Sequence, residues 1–138
     1  MSDPITSTTN PQIKDLVRLR DRRHRDQSGT FVVEGYRAIS RALDAELEFE
    51  RLYICPELFL GPNEDQLIDR VADGGTLVTE VAPEPFRKAA YRDRPEGLLA
   101  VAKQFDTTLD HLDLLADPLV LVVESIEKPG NLGTMLLS

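Results

Sequence analysis

Strand-like and helix-like stretches alternate along most of this chain, and that alternation restricts the fold more than any other feature. Thr30–Val33, Leu52–Cys55, Thr76–Val81 and Gly97–Ala102 are short runs rich in apolar and β-branched residues, the pattern of strands. Between them apolar residues recur at helical spacing. Asn10 to about Arg25 puts Ile13, Leu16, Val17 and Arg20 on one face. Tyr36–Leu47 turns Ile39, Ala42 and Leu43 inward, Glu64–Ala72 does so with Leu67, Ile68 and Val71, and Pro83–Tyr91 with Phe86, Ala89 and Ala90. The punctuation agrees. Asn10-Pro11 supplies an N-cap and a proline at the first helical position, Asp73-Gly74-Gly75 ends a helix, and Pro56 stops a strand. The order αβαβαβαβ predicts an α/β fold, a small three-layer module with a parallel or mixed sheet and helices on both faces. Met1–Thr9 is polar and expected to fray. Glu46–Glu50 reads as an acidic link, and Leu58–Asn63 as a loop or short helical turn.

The last third reads differently. Gln104–Asp117 is acidic, with a short amphipathic turn at Leu109, Leu112 and Leu115. Leu119–Val123 is a continuous apolar run, which suits a strand buried on both faces. Pro129-Gly130 breaks it, and Asn131 stands where an N-cap belongs, before Leu132, Met135 and Leu136 at helical spacing. Such a unit would aim the N–H groups of Leu132, Gly133 and Thr134 at an anion above the sheet. An ordinary βα loop has the same spacing. The expected organisation is a module over residues 1–105, a linker over 106–117, and the start of a second domain over 118–138. One strand and one helix cannot bury both faces alone, so this end is expected to be poorly protected or packed onto a neighbour.

Charge is unevenly spread. The net charge is −8, which argues against a uniformly basic nucleic-acid binder. Yet Lys14–Arg25 holds six basic residues (14, 18, 20, 22, 23, 25) against Asp15 and Asp21. That net +4 leaves −12 for the remainder. Two readings fit: a solvated helix face, or a local patch whose Arg forks meet RNA phosphates. Arg37 and Arg41, four apart on a helix, could extend it. Glu34 has no partner acid or histidine nearby in sequence and is expected to fix the loop or a neighbouring Arg. Cys55 is the single cysteine, so no internal disulfide is possible, and His24 and His111 lack metal-ligand spacing. No metal site is expected. The N-terminus has neither the basic nor the apolar part of a signal peptide, and no apolar run is long enough to span a membrane. A cytoplasmic, reducing setting is the expectation.

Three separate strings resemble one family. E-K-P-G-N-L-G-T-M is similar to the first motif of SpoU-type (TrmH-like) RNA ribose 2′-O-methyltransferases of the SPOUT superfamily, with Pro129, Asn131 and Gly133 at matching positions. The family's following Arg falls on Leu137, which can neither hydrogen-bond an oxygen nor hold a phosphate. K-D-L-V-R-L-R-D-R-R-H-R-D-Q-S-G-T-F-V-V-E-G resembles the N-terminal substrate-binding module of such enzymes through Lys14, Leu16, Leu19, Arg25, Gly29, Phe31, Glu34 and Gly35. Y-R-D-R-P-E-G-L-L-A-V-A-K resembles that module's end through Pro95, Gly97, Ala100 and Val101, with Glu96 where Gln is usual. The resemblance implies a module similar to certain ribosomal RNA-binding proteins, followed by the first strand and helix of a knotted methyltransferase domain. It implies methyl transfer from S-adenosylmethionine to a ribose 2′-OH of ribosomal or transfer RNA, in a homodimer. By resemblance Asn131 is the catalytic candidate, and Lys14, Arg18, Arg22, Arg23, Arg25, Glu34, Arg37 and Arg41 are RNA-binding candidates. The knot and cofactor motifs are expected beyond Ser138, so no residue here is assigned to the cofactor and none is expected to bind this chain. The alternative is an RNA-binding module without catalysis.

Overall fold

The computed structural model describes residues 3–137, which fall into two compact units, Met1–Phe105 and Asp106–Ser138. The outermost residues of the expected frayed start and of the expected final segment, 1, 2 and 138, lie outside the described residues.

In the first unit, helices α1 (Pro11–Arg18) and α2 (Arg22–Ser28) precede β1 (Thr30–Glu34). Then come α3 (Tyr36–Asp44), β2 (Phe49–Ile54), α4 (Glu64–Asp73), β3 (Leu77–Glu80), α5 (Pro83–Ala89) and β4 (Leu98–Lys103). The sheet is mixed, in the order β1-β4-β2-β3. β2 and β3 are parallel, with Leu52 opposite Val78. The last strand inserts antiparallel between the first two, so that Ala100 faces Val33 on one side and Leu52 on the other.

Side chains of a strand point alternately to its two faces, and here both faces are apolar. Tyr53, Cys55 and Leu99 pack with Ile13, Leu16, Phe86 and Ala89 beneath α1 and α5. Leu52, Ile54, Leu98 and Ala100 pack with Ile39, Leu67 and Val71 beneath α3 and α4. The expected three-layer α/β architecture is therefore present, its central layer buried on both sides.

Five expectations need correction. Among the described residues the N-terminal segment is not frayed. Ile5 is buried and bridges Val81 in parallel, donating to the Glu80 carbonyl at 2.9 Å and accepting from Ala82 N–H at 2.9 Å. The basic helix is two helices. Asp21 caps the second by accepting the Arg23 N–H at 2.8 Å, and a capping aspartate inside a helical pattern restarts it. The link at Glu46–Glu50 is shorter than expected, because β2 begins at Phe49, whose ring is half-buried with the α3–α4 core. Finally, Leu119–Val123 is exposed and forms no strand, since no strand among the described residues offers it hydrogen bonds. Helix α6 (Pro129–Leu137) starts two residues before Asn131, with Pro129 at its first position. Leu132, Gly133 and Thr134 thus lie inside the helix, where N–H groups bond back to carbonyls, and do not form the expected anion cradle.

Cys55 is buried, and burial chiefly pushes its thiol above the usual range. Folding favours the protonated thiol. That contribution holds below the ordinary thiol pKa and is lost as pH rises through the raised one. An aromatic disulfide reagent at pH 8 is expected to label folded protein at least about 100-fold more slowly than the chain in denaturant. Equal rates would show that the sheet centre opens freely.

Candidate nucleic-acid interface

β1 runs parallel to β2 and β3, because both β1 and β2 pair antiparallel with β4. The C-terminal ends of the three strands therefore share one edge of the sheet, where the 90–97 loop also enters β4. In open α/β sheets the loops at that edge are the ones free to hold a ligand.

Glu34 ends β1 at this edge. Its Oε2 accepts the Tyr91 N–H at 2.7 Å, while Oε1 is buried with no hydrogen-bond partner. Glu34 thus fixes the 90–97 loop. Tyr91 is half-exposed, with the Arg20 guanidinium 5.4 Å from its ring centroid. Arg20 Nη2 also donates to the carbonyls of Lys88 (2.9 Å) and Ala90 (2.7 Å), filling acceptors that the end of α5 leaves open. Burial chiefly raises the Tyr91 hydroxyl pKa, and the cations of Arg25 and Arg20 oppose it.

On the far side of the same loop, Arg92 forms an ion pair with Glu96, whose Oε2 accepts the Tyr36 N–H at 3.2 Å. Gly35 makes room for this contact at φ +91°. A Cβ there would lie 2.9 Å from both Arg92 Nη1 and Glu96 Oε2. Arg94 is exposed and has no partner among the described residues.

The expected RNA contacts are spread over both outer layers. Lys14 and Arg18 are exposed on α1, Arg18 paired with Asp15 at 3.0 Å. On α2, Arg22 lies 3.6 Å from Asp26, and Arg23 has no side-chain partner among the described residues. Such exposed pairs contribute little and part easily for a phosphate. Arg25 turns inward instead. Its Nη1 donates to the carbonyls of Leu19 (2.9 Å) and Arg20 (2.8 Å), clamping the break between α1 and α2. Arg37 and Arg41 are exposed on α3, across the sheet from α1. The Tyr91–Glu96 loop meets Arg20 through the Tyr91 ring and lines a cleft with Arg37 through Arg92 and Glu96. Its Tyr91, Arg92 and Arg94, together with Arg20, were not among the candidates read from sequence. An aromatic interleaved with two arginines was the available signal.

In the second unit, Asn131 and Leu137 are exposed on α6. Ser125, Glu127, Lys128, Asn131 and Met135 border a shallow groove made of exposed side chains. His111 Nδ1 lies 3.0 Å from Asp106. The described residues contain no metal-ligating cluster and no helix long and apolar enough to cross a membrane.

Arg20, Arg92 and Arg94 thus stand at one end of the layered sheet, interleaved with Glu34, Asp93 and Glu96. Residues 10–100 match the family described as the MRM3-like substrate binding domain, and the chain belongs to that family. An uncharacterized tRNA/rRNA methyltransferase of Synechocystis is 31% identical over 135 residues, 96% of this chain and 47% of that protein. The 23S rRNA (guanosine(2553)-2′-O)-methyltransferase RlmP of Bacillus subtilis is 27% identical over 135 residues, 96% of this chain and 48% of its own length. Among solved structures, an RNA 2′-O ribose methyltransferase superposes with a TM-score of 0.77 at 41% identity, covering 97% of this chain and 50% of that one. An AdoMet-bound rRNA methyltransferase from Sinorhizobium meliloti gives 0.67 at 27% identity, over 80% and 40% of the two chains. This chain spans about half the length of the curated relatives it matches.

Proposed function

We propose that this chain presents structured ribosomal or transfer RNA to a SpoU-type ribose 2′-O-methyltransferase that uses S-adenosylmethionine. Residues 1–105 are the RNA-binding module, 106–117 a linker, and 118–138 the beginning of the catalytic domain. The supporting observation is the family match over residues 10–100 on a module whose unpaired arginines border its loop edge. RNA lies across Arg22, Arg23, Arg37, Arg92 and Arg94, with Lys14, Arg18 and Arg41 at the margins and Arg20 held against the α5 carbonyls beneath them. Arg25 and Glu34 shape this surface from within. The whole protein works in the cytoplasm as a homodimer. Asn131 acts at the catalytic centre only when the rest of that domain is assembled around it.

A second reading is an RNA-binding module without catalysis. It is favoured by Leu137, an apolar and exposed side chain at the position where the family resemblance calls for Arg.

Calorimetric titration of a structured RNA stem-loop at low and moderate salt tests the proposal. Affinity is expected to fall steeply with salt. In Arg22→Ala/Arg23→Ala it should weaken, with the log–log salt slope reduced by about two. S-adenosylmethionine is expected to give no binding heat with this chain. Salt-insensitive or absent RNA binding would overturn the proposal, and clear cofactor heat would mean that the exposed groove on α6 is a pocket after all.

A further inference from the structure

On the α3–α4 side of the same edge, Tyr36, Arg37, Leu60, Glu64, Arg92 and Glu96 line a cleft of about 420 Å³. Glu64, the first residue of α4, is only 5% exposed. Its Oε1 accepts the N–H groups of Leu60 at 3.1 Å and Gly61 at 2.9 Å. Those two bonds hold the carboxylate in place. They leave Oε2 buried with no partner, on a residue that lines the cleft. Buried polar atoms are nearly always satisfied, so an orphan of this kind marks a place where a donor is missing. The second carboxylate is already engaged, since Glu96 holds Arg92 and the Tyr36 N–H. Arg37, at the mouth, is exposed and without a partner among the described residues.

Building on the RNA reading above, we propose that this cleft accepts one unpaired nucleotide, whose base donates N–H groups to Glu64 Oε2 while Arg37 meets its phosphate. Unpaired bases are the part of RNA whose Watson–Crick edge a side chain can reach. Guanine fits best. Its N1–H and N2–H₂ are adjacent donors, whereas adenine sets one amino group beside an acceptor nitrogen that would face a carboxylate. The Tyr36 ring, half-buried in the α3–α4 core, supplies a wall for the base.

The test is an amide NMR titration of this chain with guanosine, inosine and adenosine 5′-monophosphates, run beside the stem-loop titration. Guanosine monophosphate is expected to shift the Leu60, Gly61 and Tyr36 amides and to bind about tenfold tighter than adenosine monophosphate, with inosine between. In Glu64→Gln the retained carbonyl can still accept from Leu60 and Gly61, and the guanine preference should vanish. Arg37→Ala, an exposed change that leaves the fold intact, should weaken all three nucleotides alike. Equal affinities, or shifts confined to other amides, would overturn the cleft while salt-sensitive stem-loop binding upheld the RNA reading. Loss of both would overturn both.

Discussion

Gly97→Ala is expected to destabilise the first unit by about 3 kcal/mol or more, seen as a fall of roughly 12–24 °C in its thermal midpoint. Gly97 sits at φ +75°, a backbone region that resists any Cβ. An added Cβ would also stand 2.5 Å from the Cys55 carbonyl oxygen and 2.8 Å from Phe59 Cδ1. Neither strand can retreat, because Cys55 N–H donates back to the Gly97 carbonyl at 2.8 Å and the Cys55 carbonyl accepts from Leu58 at 3.0 Å. Gly75→Ala is the control. Gly75 has φ +86° but nothing within 4 Å of a new Cβ. It should therefore lose only the backbone strain, about 1 kcal/mol. If thermal melts gave the two variants equal losses, close packing at Gly97 would not be the cause.

The second large effect separates the two cores. Leu98 and Leu99 are adjacent on β4 and both fully buried, yet Leu98 belongs to the α3–α4 side and Leu99 to the α1–α5 side. Each Leu→Ala change is expected to cost about 3 kcal/mol through lost transfer energy and the cavity left behind. The side chains point to opposite faces and share no pocket, so the losses should nearly add. At about 6 kcal/mol the double variant would exhaust most of the stability ordinary for a domain of this size. Urea denaturation of the singles and the double checks it. Strong coupling between the two would mean that the cores on either side of β4 relax as one.

The layered architecture was legible because each element has a local cause. Asn10 accepts the Gln12 N–H at 2.8 Å and starts α1 as its sequence position foretells. The buried strands carry their own apolar runs. What local patterns do not encode is partner choice. Nothing within Leu98–Lys103 says that the last strand belongs between the first two, since pairing is settled by side chains far away in sequence. Leu119–Val123 shows the reverse error: an apolar run promises burial but cannot supply the neighbour that buries it. The candidate interface was half-legible. Lys14–Arg25 stood out as a basic cluster, but whether an arginine faces water or a carbonyl is a matter of geometry, and Arg20 and Arg25 were taken up by carbonyls. Glu64 gave no signal in sequence, where it is one acid among many. Its significance comes from two amides and a missing donor.

The Ile5 bridge has a practical side. β3 is the last strand of the sheet, and an open strand edge is a template for another chain to pair with. Residues around Ile5 cover part of that edge with main-chain bonds to Glu80 and Ala82. A shortened version of the domain that starts at the first helix would leave this edge bare and expose Val81 to intermolecular pairing. The few residues ahead of α1 therefore act as a guard against aggregation, and any trimming for expression should stop short of them.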